Sequence, residues 1–207
     1  MIVKEGVFFA VPLLLLAAVC GFWLHPVLAL PWLVLSAFVL WFFRDPDRRP
    51  PDDPSLLVCP ADGKIIRNEA GEISIFMNVF DVHVCRAPMA GRIESAERTA
   101  GGFLAAWKDA ASESNERAEV RIAGEGGLLR VTLVAGLVAR RIVLWTAPER
   151  TVGRGERIGL IRFGSRVDLA LPEGFEPRVR LGQRVRAGET ALARFRSGAP
   201  SAAAPGV

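Results

Sequence analysis

Between Gly6 and Phe43 the chain contains no Asp, Glu, Lys or Arg. No other feature narrows the possible folds as much. A run that long and that apolar is expected in a membrane rather than in water. It divides at His25-Pro26 into Val7–Leu24 and Val27–Phe43, each near the ~17–20 residues that a bilayer crossing needs. The pair reads as a helical hairpin with a tight turn at His25-Pro26, and Trp23, Trp32 and Trp41 suit interface anchors. A cleaved signal peptide fits poorly, because the stretch is too long and no small-x-small site follows it. Lys4 precedes the hairpin, and Arg44, Arg48 and Arg49 follow it. The positive-inside rule therefore puts both ends, and the domain beyond, in the cytoplasm. Two placements satisfy the pattern: two crossings, or a hairpin lying in one leaflet. His25 reads as an interfacial polar residue at the turn rather than as a catalyst.

Charge returns at RDPDRRPPDDP (44–54), a proline-rich stretch with the composition of a linker. Over the whole chain 26 Lys and Arg stand against 22 Asp and Glu, a net charge of +4. That excess suits the anionic surface of a membrane leaflet. With no lysine-rich run and no nucleic-acid-binding motif, no nucleic-acid partner is expected. The three cysteines, Cys20, Cys59 and Cys85, form no CxxC pair. Neither a metal site nor a disulfide framework is expected from them. Tyrosine is absent, and the only histidines are His25 and His83. An enzyme built on this chain has little conventional acid–base equipment.

From Leu56 onward the pattern is one of short strands. LLVCPADGKIIRN holds a turn at Ala61-Asp62-Gly63 between two apolar runs. EISIFMNVFDVHVCRAP alternates through Ile73, Ile75, Met77 and Val79, then through Val82 and Val84. LLRVTLVAGLVARRIVLW is strongly β-prone, and only Phe103–Ala111 suits a short helix. TVGRGERIGLIRFGS (151–165) resembles RVRLGQRVRAGETALARFRS (178–197), each a turn followed by an apolar run ending in Arg-Phe. Such units recur in lipoyl and biotinyl carriers, whose hairpin-tip lysine is missing here. The expected fold is therefore mainly β. It has an apolar helical hairpin over 1–43, a charged linker over 44–55, and a β-rich, sandwich- or hammerhead-like domain with one short helical segment over 56–197. A low-complexity, disordered tail is expected over 198–207.

IRFGSRVDLALP (161–172) alternates like a strand on both sides of Gly164-Ser165. Taken alone, a glycine there reads as a bulge near a strand end. Three stretches change that reading: FMNVFDVHVCRAPMAGRI (76–93), the NER of 115–117 with AGLVARRIV (135–143), and GERIGLIRFGSRVDLALP (155–172). In this order and spacing the chain resembles the short bacterial form of the phosphatidylserine decarboxylase proenzyme family. FFRDPDR and PADGKI fit as well, and the resemblance runs from about residue 5 to about 196. It implies an enzyme that cuts its own Gly164-Ser165 bond. The serine hydroxyl attacks the preceding carbonyl, and elimination from the resulting ester leaves dehydroalanine, which hydrolyses to a pyruvoyl group. Gly164 would end a β subunit (1–164), and Ser165 would become the pyruvoyl terminus of an α subunit (165–207). Glycine leaves the attacked carbonyl unobstructed and permits a strained backbone. The covalent pyruvoyl cofactor would form a Schiff base with the serine amine of phosphatidylserine, accept the electrons released with CO2, and yield phosphatidylethanolamine. The implied location is the bacterial inner membrane, with the catalytic domain on the cytoplasmic side. The implied assembly is a heterodimer of the chain's own β and α fragments, with a dimer of such pairs compatible.

Asp81 and His83 lie two apart in FDVHV, a spacing that puts both on one face of a strand. By themselves they make a surface Asp–His contact. By resemblance Asp81 assists cleavage by orienting a base, while His83 deprotonates Ser165 or protonates the decarboxylated carbanion. Many relatives carry a further histidine near Thr99–Phe103, where this chain reads TAGGF. Either His83 serves both steps, or the Asp81 carboxylate and water suffice for one. Arg140, Arg141, Arg162 and Arg166 are candidates to neutralise the substrate's phosphate or carboxylate, against a solvated strand face. Asn115 and Arg117 read as loop-ordering residues bordering the pocket. The rival reading is an inactive, membrane-tethered carrier-like adaptor. A second rival keeps the pyruvoyl chemistry but takes a free amino acid, against which the membrane anchor argues.

Overall fold

A computed structural model describes residues 1–69, 71–102, 115–136, 141–162 and 165–196, and it divides into two compact units, Met1–Asp47 and Arg48–Val207. In the first unit α1 (Lys4–Val19) continues through a π-helical turn, Cys20–Leu24, into α2 (Pro26–Phe42). Pro26 opens α2 where its missing N–H costs nothing. His25 caps that helix, its Nδ1 accepting from the Val27 N–H at 3.2 Å. The two helices meet through small residues. Gly6, Ala10 and Ala17 are the buried positions of α1, and the Ser36 hydroxyl reaches the Ala10 carbonyl. The ends are tied together as well, with Val3 N–H donating to the Phe43 carbonyl and Asp45 N–H to that of Met1. Lys4–Leu24 is long and apolar enough to cross a membrane, while Pro26–Phe42 is a shorter apolar helix of 17 residues. The leucines and aromatics turned outward on this hairpin are largely exposed, as lipid contact requires.

The second unit is mainly β, as alternation predicts. Its strands are β1 (Leu56–Val58), β2 (Gly63–Glu69), β3 (Glu72–Met77), β4 (Val84–Arg86), β5 (Gly91–Thr99), β6 (Arg117–Gly124) and β7 (Gly127–Ala135). These are followed by β8 (Ile142–Leu144), β9 (Thr151–Val152), β10 (Arg157–Ile161), β11 (Ser165–Ala170), β12 (Phe175–Pro177), β13 (Arg184–Val185) and β14 (Ala191–Phe195). Eight make one antiparallel sheet in the order β13-β2-β3-β11-β7-β6-β5-β9. Two three-stranded sheets, β4-β10-β8 and β1-β14-β12, are the others among the described residues. The inward series of the large sheet reads Ile73, Ile75 and Met77 on β3, Leu129, Val131, Leu133 and Ala135 on β7, and Val167 and Leu169 on β11, all buried. The period of two thus puts one residue in each pair into the core. The helical segment expected near Phe103–Ala111 and the tail from 198 lie outside the described residues.

The turn-plus-strand repeat is present as β9–turn–β10 and β13–turn–β14. Its two turn glycines, Gly155 (φ +80°) and Gly188 (φ +73°), sit back to back. Each donates its N–H to the neighbouring chain, Gly155 to the Ala87 carbonyl and Gly188 to that of Cys59. Gly63, in PADGKI, is under tighter constraint: φ is +149°, and a Cβ there would lie 2.2 Å from the Phe76 carbonyl oxygen. The backbone of β3 cannot move aside without breaking the sheet. Gly63→Ala should therefore lower stability by about 2–3 kcal/mol or more. Gly71→Ala, at φ +79° with nothing nearer than 4.0 Å, should cost only the backbone strain of about 1 kcal/mol. Denaturant titration of the two detergent-solubilised variants measures the difference.

The linker expected over 44–55 is shorter than its composition suggests, because the boundary between units falls after Asp47. Residues 48–55 are strapped to the sheets. Arg48, nearly buried, pairs with Asp62 at 2.8 Å and Glu189 at 2.9 Å. The Arg154 guanidinium donates to the carbonyls of Pro51, Asp53 and Leu56. The Asp53 carboxylate accepts from Ser55 and Arg194, and these bonds hold its pKa down to about 2. Proline-rich chain of this kind is stiff, so few contacts suffice to fix it.

Candidate active site

Ser165 is the first residue of β11, in the middle of the large sheet. It stands in register with Met77 on β3 and Ala135 on β7. Its side chain belongs to the inward series and is fully buried, with Oγ donating to the Met77 sulfur at 3.6 Å. A thioether is a weak acceptor, so the hydroxyl is held loosely in an apolar setting. Just upstream, β10 ends at Ile161 and belongs to a different sheet, paired with β4 and β8. The alternation on either side of Gly164-Ser165 therefore comes from two strands in two sheets, and the chain changes sheet between them. Gly164 itself lies outside the described residues.

A second crossover accompanies this one. β3 ends at Met77, opposite Ser165, and β4 begins at Val84, opposite Leu160. Residues 78–83 span the same gap between sheets in the opposite direction. His83 closes that loop, with its carbonyl accepting from the Ile161 N–H at 3.2 Å and its ring fully buried. His83 Nδ1 lies 2.9 Å from the Asp81 main-chain carbonyl. A carbonyl only accepts, so Nδ1 carries the hydrogen and, in the neutral ring, Nε2 holds the basic lone pair. The arrangement gives a buried base whose tautomer is set by the backbone.

Asp81 is placed differently from the sequence expectation. It is not on a strand, and its carboxylate does not orient the imidazole. Residues 78–81 form a turn in which Asn78 N–H donates to Asp81 Oδ2 at 2.9 Å, Phe80 N–H to Asn78 Oδ1 at 2.7 Å and Asp81 N–H to the Asn78 carbonyl at 3.0 Å. Such side-chain-to-backbone bonds outcompete a strand ladder. Asp81 Oδ1 pairs with Arg184 at 3.0 Å. Asp81 thus positions the loop, and its carbonyl positions His83.

Asn115 supports the other wall, as its Nδ2 donates to the Ala135 carbonyl at 2.7 Å and fixes the residue facing Ser165. Of the arginine candidates, Arg166 is buried and lies on the face of β11 opposite to Ser165, its Nε 2.9 Å from Asp168. Its charge is met there, so it is not placed beside the hydroxyl as proximity in sequence suggests. Arg162 directly follows β10 and is half-buried, and Arg141 is exposed at the start of β8. Arg140 lies outside the described residues. Sequence reasoning missed Met77, Asn78 and Arg184. An N-x-x-D turn signature at 78–81 was the available signal for one of them, and the pairings of the other two are long-range. Asp62 was also passed over. It accepts from the Ala187 N–H at 2.7 Å, and burial, only partly offset by that bond and by Arg48, raises its pKa. Cys59 and Cys85 are buried, and desolvation pushes both thiols up, which removes them as nucleophiles.

A family model described as phosphatidylserine decarboxylase matches residues 35–193. The phosphatidylserine decarboxylase proenzyme of Solibacter usitatus is 45% identical over 197 residues, covering 93% of this chain and 96% of its own. That of Desulfotalea psychrophila is 48% identical over 181 residues, covering 82% and 85%. That of Syntrophus aciditrophicus is 40% identical over 208 residues, covering 94% and 97%.

Proposed function

This chain belongs to the phosphatidylserine decarboxylase family, and from that premise we propose that it converts phosphatidylserine to phosphatidylethanolamine after cutting itself between Gly164 and Ser165. The observation that carries the reading is the buried Ser165 hydroxyl at a change of sheet, flanked by a second crossover that ends in the buried His83 ring. His83 Nε2 takes the hydroxyl proton as Oγ adds to the Gly164 carbonyl carbon. The C–N bond then breaks, giving an ester and an amine. Loss of the α-proton expels the Gly164 carboxylate, and water replaces nitrogen at the new double bond, releasing ammonia. The balance is one water consumed and one ammonia released for each pyruvoyl terminus.

The residues present suit a ketone at position 165. Met77 and Ala135 supply apolar walls, and Asn115 holds the second wall in place. When formed, the pyruvoyl group supplies an electron-poor carbonyl that takes the substrate amine covalently and withdraws the electrons left as the carboxylate departs. His83 is then the proton donor to the substrate carbon, and the Asp81 carbonyl keeps its ring aligned. Arg162 and Arg141 carry positive charge near the ends of the crossover strands and are the candidates to face the phosphate. After cleavage the two fragments stay paired through β11 with β3 and β7, β13 with β2, and β14 with β1. The apolar hairpin holds the enzyme at a cytoplasmic membrane surface where the lipid resides.

The test is substrate choice. Purified full-length protein in detergent should release CO2 from phosphatidylserine and none from free serine at equal concentration. Release from serine would move the substrate class to free amino acids, and release from neither would leave an inactive membrane module.

A further inference from the structure

Outside the helical hairpin only three large apolar side chains are exposed among the described residues: Phe80 at 65%, Leu181 at 69% and Leu128 at 46%. Two of them occupy one corner of the large sheet. Phe80 is on the turn that follows β3, and Leu181 is on the turn that precedes the edge strand β13. The Asp81–Arg184 ion pair, 3.0 Å, ties the first turn to the start of β13, directly after the second. Both turns are locked. The first carries the three hydrogen bonds of Asn78–Asp81. In the second, Arg180 N–H donates to Gln183 Oε1, Gln183 N–H to the Arg180 carbonyl and Gly182 N–H to that of Ile65. Rigid turns that hold apolar tips in water give up the burial that a looser turn would recover.

The surroundings of the tips carry an excess of basic residues, although Arg184 pairs with Asp81 and Arg186 with Glu189. RVRLGQRVR (178–186) contains four arginines and no acid, all four arginines are exposed, and Lys64 lies exposed beside Arg184 across β2. Apolar tips rimmed by arginine match the chemistry of an anionic lipid interface, where the tips enter the acyl boundary and the cations meet phosphates. We propose that this corner docks on the surface of an anionic bilayer, so that the loop carrying His83 faces the headgroup layer from which the substrate comes. The inference rests on the reading of Ser165 and His83 as a lipid site, and it adds a second membrane contact independent of the hairpin.

The experiment uses full-length protein with Cys20→Ser, since Cys59 and Cys85 are buried from labelling reagents. Single cysteines at Phe80→Cys, Leu181→Cys and Leu128→Cys carry an environment-sensitive fluorophore. Leu128 is the internal control, exposed but seven residues along β7 from Ala135, about 24 Å away. The proteins are reconstituted into vesicles of phosphatidylcholine and phosphatidylglycerol containing nitroxide-labelled acyl chains. Quenching at positions 80 and 181 should exceed that at 128 by about threefold or more, and should fall when phosphatidylglycerol is omitted. Equal quenching at the three positions, or quenching indifferent to phosphatidylglycerol, overturns the proposal. These vesicles contain no phosphatidylserine, so the outcome does not depend on catalysis. Positive quenching with no decarboxylation would remove the enzyme reading and leave the docking surface.

Discussion

Ser165→Ala should leave the chain in one piece and without activity. The change removes a single oxygen from a fully buried side chain whose hydrogen bond is to a thioether, so the fold should be retained and melting should shift by only a few degrees, as expected for about 1 kcal/mol or less. Denaturing electrophoresis should show one band where the parent shows two. CO2 release should fall below detection, because without Oγ there is no attack on Gly164 and no carbonyl to accept the substrate. A variant that is still cleaved would assign the attack to another group, and an uncut variant that still turns over would remove the pyruvoyl chemistry altogether.

His83→Asn should slow self-cleavage by about 10²–10⁴-fold, the usual contribution of a positioned general base. Asparagine is chosen because its amide nitrogen can still donate to the Asp81 carbonyl, as Nδ1 does at 2.9 Å, while the basic Nε2 is lost. If His83 only braces the loop, this variant should mature at the parental rate. If His83 also returns a proton to the substrate, the slowly matured fraction should decarboxylate more slowly per pyruvoyl terminus. Equal turnover per terminus would confine the residue to the first step. His83 is the only histidine in the sheet domain, so no second imidazole of this domain can stand in for it in the variant.

The architecture was legible wherever it follows from local pattern. The charge-free run sets the helical hairpin, and a period of two sets β3, β7 and β11, down to the inward placement of Ser165 in series with Val167 and Leu169. What was not legible is where a pattern belongs to two partners at once. IRFG and SRVDLALP read as one interrupted strand, yet β10 and β11 pair in different sheets, and alternation carries no record of the neighbouring strand. FDVHV alternates as well as any strand. The Asp81 carboxylate nevertheless accepts from the Asn78 N–H three residues back, and Asn78 Oδ1 accepts from the Phe80 N–H two residues on, so the segment 78–81 is a turn and the carboxylate meets Arg184. The strap over 48–55 was hidden for a related reason. Arg48 looks like a membrane-flanking cation until Asp62 and Glu189 arrive from distant segments. Gly164-Ser165 was readable as a candidate through its setting in the resemblance, while the Met77 wall and the Arg184 brace depend on pairings between strands far apart in sequence.

Intact mass of active, membrane-extracted enzyme tests the central claim most directly. Two polypeptides are predicted, one ending at Gly164 and one spanning 165–207. The second should lack a free amine and be lighter than a serine-terminated fragment by the mass of ammonia. A preparation that decarboxylates phosphatidylserine at full rate while showing a single unbroken chain, or a small fragment that still begins with serine, would contradict it.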